Sequence, residues 1–149
     1  MKNLFEPATA EAVKRRLSQL RPDSERMWGK MSAAQALAHC AAAMEWAVGL
    51  KRPPRRLVGR LFGRLAKSMI LNERQMPRNS MTDKNLLVRD ERDFEVERQR
   101  LYGLIERFAA AGPAGCTTHP HSLFGPLTPM EWAALMYQHL DHHLRQFRL

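Results

Sequence analysis

Six histidines carry the chemistry legible in this chain, and they fall in three places: His39, the pair His119 and His121, and the trio His139, His142 and His143. Imidazole titrates near neutral pH and binds divalent metals through a ring nitrogen, so gathered histidines can relay protons or hold an ion. Projected on a helix at about 100° per residue from Trp132, His139 and His143 lie about 20° to either side of it. Leu135, Met136 and Leu140 bracket the same direction, whereas Gln138, Asp141 and Arg145 point away and His142 falls near the edge. An i, i+4 pair on a face destined for the core brings two imidazole nitrogens to one point, as chelation requires. His39 shares its face with Gln35, Ala42, Ala43, Trp46 and Leu50, and the alanines leave space beside the ring. Burying an unpartnered imidazole is costly. The three inward rings are therefore either hydrogen-bonded core histidines or the ligands of one ion. A three-nitrogen set suits one divalent metal (Zn, Ni or Fe) and leaves coordination positions open to water or substrate. The neighbouring helical faces offer no carboxylate as a fourth ligand.

The elements that must position these residues all read as helices. Ala, Leu, Arg, Glu, Gln and Met dominate, and alternating β-branched stretches are missing. The spacing predicts helices at about 8–20, 32–49, 55–71, 91–111 and from Thr128 almost to Leu149. Ser32 with Gln35, and Thr128 with Glu131, form capping-box patterns; Asp90 is the cap expected for the fourth helix. Residues 72–89 read as an irregular connection and 112–127 as a Gly-, Pro- and His-bearing loop. The fold class expected is all-α, a bundle of four main helices plus one accessory helix.

With 149 residues, 44% of them apolar and 26% charged, the chain reads as a single globular domain over 1–149 rather than a disordered one. No apolar run reaches the ~18 residues of a membrane span. The start, MKNLFEPATAEAVKRRL, carries no secretory pattern, and Cys40 and Cys116 cannot build a disulfide framework, so a cytoplasmic location is expected. A formal charge of +9 admits anionic substrates, nucleic acid or an acidic membrane surface and demands none of them.

Several stretches together resemble the DinB/YfiT-like metalloenzymes. Trp28-Gly29-Lys30-Met31-Ser32-Ala33-Ala34-Gln35 through His39 is similar to that superfamily's opening motif. The ending His139-Leu140-Asp141-His142-His143-Leu144-Arg145-Gln146-Phe147 resembles an uncharacterised branch of it. Met76-Pro77-Arg78-Asn79, Asp93-Phe94-Glu95, and Phe124-Gly125-Pro126-Leu127-Thr128 before Glu131-Trp132 extend the likeness over nearly the whole chain. The resemblance implies an up-and-down four-helix bundle with a mononuclear metal on His39, His139 and His143. It also implies a thiol (S-)transferase-like or hydrolase-like enzyme acting on a small molecule such as a low-molecular-weight thiol, and homodimerisation through helix faces. His142 lies inside the motif, so the chelating pair is either His139 with His143 or His139 with His142; otherwise His142 is an outer partner or a proton carrier.

Chemistry at such a site would use the open metal positions, with His142, His119 and His121 as candidate proton carriers. His119 and His121 themselves read as exposed loop residues, and Cys40 as a small buried hydrophobe. An alternative function of another class rests on residues 51–67. Lys51, Arg52, Arg55, Arg56, Arg60, Arg64 and Lys67 occur there without an acid, opposite Leu57, Val58, Leu61, Phe62, Leu65 and Met69. That is a basic amphipathic helix, able to contact an anionic partner. Without aromatic interleaving or a DNA-binding motif, nucleic acid is the weaker fit.

Overall fold

Three of the four long helices among the described residues start at a side chain that replaces a missing backbone partner. The structure, a computed structural model, describes residues 2–61, 63, 67, 76–78 and 82–149. Its long helices are α1 (Pro7–Gln19), α2 (Ala33–Ala47), α3 (Phe94–Ala111) and α4 (Pro129–Gln146), with 3-10 turns at Lys84–Leu86 and Gly112–Gly115. There is no β-strand among the described residues, and the fold is all-α.

Both expected capping boxes form. Ser32 Oγ accepts from the Gln35 amide at 3.2 Å while Gln35 Oε1 accepts from the Ser32 amide at 3.0 Å. Thr128 and Glu131 exchange the same two bonds at 3.2 and 2.8 Å. α1 begins at Pro7, whose missing N–H costs nothing at a helix start. The fourth predicted helix starts three residues later than expected. Asp93, not Asp90, is the cap, accepting from the Val96 amide at 2.9 Å, while the Asp90 carboxylate is engaged by Arg92. Removing a capping oxygen typically costs ~1 kcal/mol. Ser32→Ala should therefore lower the thermal midpoint by about 3 °C. An unchanged midpoint in calorimetry would show that the box does not hold the start of α2.

The apolar faces of the four helices meet in one core. α2 supplies Leu37, Ala41 and Met44, α3 supplies Leu101, Ile105 and Phe108, and α4 supplies Trp132, Ala133 and Leu140. Val13 and Leu17 close it from α1. α2 lies along α3 and also touches α4, and α1 packs on α3 and α4. The alanines of α2 let its backbone come close to these neighbours, and that places His39 against α4.

Side-chain and backbone hydrogen bonds fix the described part of each connection. Asp83 caps the Lys84–Leu86 turn by accepting from the Asn85 amide at 2.9 Å, and Leu86 is buried. In the 112–127 loop, His121 and Gly125 exchange backbone hydrogen bonds at 2.9 and 3.1 Å, with Gly125 at φ +79°. Of the predicted helix 55–71, residues 57–61, 63 and 67 are helical; Phe62, Arg64, Leu65 and Met69 lie outside the described residues. No helix among the described residues is long and apolar enough to cross a membrane.

Candidate metal centre

His39, His139 and His143 meet where α2 faces α4, each offering one ring nitrogen within 4.8 Å of the others. The Nε2 atoms of His39 and His139 lie 2.9 Å apart. The His143 ring stands 4.7 Å from His39 and 4.8 Å from His139, centroid to centroid. His39 is buried and His139 half-buried. Among the described residues no carboxylate or thiol joins the three. Asp141, one residue along from the expected stripe, is held between Arg16 and Arg145 at 2.8 Å each.

The far nitrogens of two rings are fixed by partners that permit only one tautomer. His39 Nδ1 lies 2.8 Å from the Leu86 carbonyl oxygen. A carbonyl can only accept, so Nδ1 carries the proton and Nε2 presents a bare lone pair to the cluster. For His143 the logic passes through a third residue. The Gln146 amide donates from Nε2 to the Trp28 carbonyl at 2.7 Å, which leaves Oε1 facing His143 Nδ1 at 2.9 Å. His143 must then donate from Nδ1, and its Nε2 is also bare. Gln146 is itself buried and locked in place: its backbone oxygen accepts from the Met27 amide at 2.7 Å. Gly29, at φ +77°, passes so close that a Cβ there would sit 2.6 Å from Gln146 Nε2. The positive φ favours glycine at this position, and a side chain there would also push Gln146 off its bond to Trp28.

Electrostatics keep all three rings neutral. Burial lowers the pKa of His39. It pushes His139 well below the ordinary histidine value, with His143 and His39 adding to the shift. His143 is pushed down to about 3, again by burial first and then by His39. Each ring resists a proton because a charge there would be poorly solvated and would face its neighbours. Neutral imidazole is the form that ligates a metal.

His142 stands beside this group without belonging to it. It is buried, its ring 5.1 Å from that of His143 and 5.7 Å from that of Trp28. It bonds to the backbone of Met76, while its Nδ1 is buried with no hydrogen-bond partner among the described residues. The expectation for the 112–127 loop needs correction. His121 is buried rather than exposed: it stacks on Phe124 at 4.6 Å and lies against Trp132 at 5.3 Å and Trp46 at 5.5 Å. The His121–Gly125 pairing folds the loop inward, and His121 Nδ1 accepts from the amides of Leu123 and Phe124. Burial pushes its pKa down to about 4. His119 is half-buried, its Nε2 2.9 Å from the Pro53 carbonyl. Cys40 is a buried small side chain, as its position on the helix implied, and burial pushes its thiol pKa up.

Sequence reasoning missed Gln146, the Leu86 carbonyl and the Trp28-Gly29 strap. Gln146 had a usable signal, since i, i+3 spacing puts it beside His143 on one helix face. The Leu86 carbonyl had none, because it arrives from a connection 47 residues away in sequence.

No curated protein and no solved structure matches the chain. A family model matches residues 2–149, and on that match the chain belongs to the family described as "Protein of unknown function (DUF1569)".

Proposed function

We propose that this chain is a metal-dependent enzyme that holds one divalent ion (Zn, Ni or Fe) through His39, His139 and His143, and acts on a small molecule as a thiol (S-)transferase-like or hydrolase-like catalyst. The proposal takes α1 to α4 as an up-and-down four-helix bundle of the DinB/YfiT kind, forming one domain. One observation carries it: three neutral imidazoles converge while the far nitrogens of two are anchored, His39 to a carbonyl and His143 to a glutamine oxygen. Hydrogen-bonded core histidines would need only their own partners. Here two rings spend their single N–H on outer partners and turn bare nitrogens inward, the arrangement by which proteins orient metal ligands. The donor set fits a borderline-soft divalent ion.

With no anionic ligand in the set, such an ion keeps its full double charge and would hold a water or thiol partner deprotonated near neutral pH. Leu86 and Gln146 fix ring orientation. Burial of the three rings keeps water away from them, which strengthens every charge interaction there. His142, beside His143 and with no partner for its Nδ1 among the described residues, is the group we assign to pass a proton.

Elemental analysis of the untagged protein tests this directly. We expect close to one equivalent of Zn, Ni or Fe in the wild type and none in His39→Ala of equal helical content. A wild type that stays empty after incubation with each ion would leave three core histidines and end the proposal.

A further inference from the structure

The basic segment that follows Pro53-Pro54 is turned the wrong way for a helix that only covers a core. Leu57 and Leu61 are 76% and 77% exposed, and Val58 is exposed beside them. On a helix at about 100° per residue, Gly59 and Gly63 lie about 120–160° from those leucines. The glycines face the loop: a Cβ at Gly59 would collide with the Leu123 carbonyl oxygen, and one at Gly63 would sit 2.5 Å from the same atom. Backbone bonds hold this seat, with the Arg56 amide donating to the Ser122 carbonyl at 3.0 Å. Rolling the helix to bury its leucines would drive them into a gap that admits only hydrogen atoms. The outward apolar stripe is therefore imposed by the way the segment docks.

The surrounding charge narrows what can cover that stripe. Residues 51–67 contain no acid. Glu45 answers Lys51 at 2.8 Å and Glu131 answers Lys67 at 2.7 Å. Arg52, Arg56 and Arg60 form no ion pair among the described residues, and Arg52 and Arg60 are exposed. A second copy meeting this face about a two-fold axis would set arginines against arginines. A nucleic acid would use the arginines but has no use for outward leucines, and residues 52–61 contain no aromatic ring to stack on a base. An acidic lipid surface uses both features at once, phosphate for the guanidinium groups and acyl chain for the leucines.

We infer that the 52–61 face seats the protein reversibly on an anionic membrane surface. The inference does not depend on the metal centre, which lies on other helices. Three arginines and two leucines give weak, salt-sensitive attachment rather than permanent anchoring.

Sedimentation with phosphatidylglycerol–phosphatidylcholine vesicles, beside pure phosphatidylcholine vesicles, tests it with the full chain. Wild type should bind the anionic vesicles at least about tenfold more strongly and lose most of that binding at about 0.5 M salt. Leu57→Ser/Leu61→Ser and Arg56→Gln/Arg60→Gln should each weaken it about tenfold with helical content unchanged, since these side chains support no core. Equal binding to both vesicle types would overturn the inference, as would full binding by the leucine variant. So would retardation of duplex DNA without vesicle binding, which would make the arginines a nucleic-acid contact. A dimer in sedimentation velocity that the leucine variant dissociates would overturn it in favour of self-association.

Discussion

His143→Ala should abolish stoichiometric metal, and Gln146→Leu should weaken it by about 10–100-fold while leaving the ligands in place. The order of these two effects is what separates a metal centre from a buried histidine cluster. Losing His143 removes one of three donors, so the loss should exceed that of any outer partner. Gln146 touches no ion; it accepts the His143 Nδ1 proton at 2.9 Å and is held by the Trp28 carbonyl at 2.7 Å. Leucine fills a similar volume but cannot accept, so His143 would lose the bond that fixes its tautomer and its orientation. His121→Ala should retain close to one equivalent, because His121 lies among aromatic rings outside the three-nitrogen group. Titration with Zn or Ni against a chromophoric chelator measures all three. Retained metal in His143→Ala, together with its loss in His121→Ala, would overturn the ligand assignment.

The metal-free protein should lose at least about 4 kcal/mol of stability between pH 8 and pH 5. The folded chain holds His121 down to about 4 and His143 to about 3, against an ordinary value of 6.5. Below about pH 6.5 the unfolded chain takes up protons that the folded chain refuses, so the unfolded state binds more protons. Stability then rises with pH across this window and is lost as pH falls from 6.5 toward the folded values. Each histidine contributes about 2 kcal/mol by pH 5, where most carboxylates have yet to titrate. Against a total of roughly 5–15 kcal/mol this is a large fraction. Urea unfolding in the presence of a chelator, at pH 8, 7, 6 and 5, should show the midpoint falling with each step below 7. A midpoint that stays level would mean that these rings are solvated in the folded protein. Added metal should raise stability at every pH in this series, since it binds the folded form, whose imidazoles are already neutral, in preference to the unfolded chain.

Much of this protein was legible in its sequence because the signals were local. The capping boxes at Ser32 and Thr128 need only residues three apart. The inward direction of His39, His139 and His143 needs only helical periodicity, and the structure brings those three rings together. Where local signals competed, the reading slipped: Asp90 and Asp93 both suit a helix start, and the ion pair of Arg92 with Asp90 leaves the cap to Asp93. The loop histidines show the same limit, since nothing in residues 112–127 alone reveals that a two-residue bridge turns His121 into the core.

By itself the sequence determined that the chain is helical and that the faces carrying His39, His139 and His143 turn toward one another. These follow from short-range sterics, hydrogen bonding and the 3.6-residue repeat. The tertiary structure alone decided which nitrogen of His39 and His143 points into the cluster. Leu86 reaches His39 from a distant turn, and Trp28 orients Gln146 from the strap before α2. It also decided that Leu57 and Leu61 face outward, contrary to the usual fate of a leucine stripe, because Gly59 and Gly63 dock against a carbonyl from far along the chain. Tautomers and docking faces are set by partners that meet only after the chain has folded, and spacing along one segment carries no record of them.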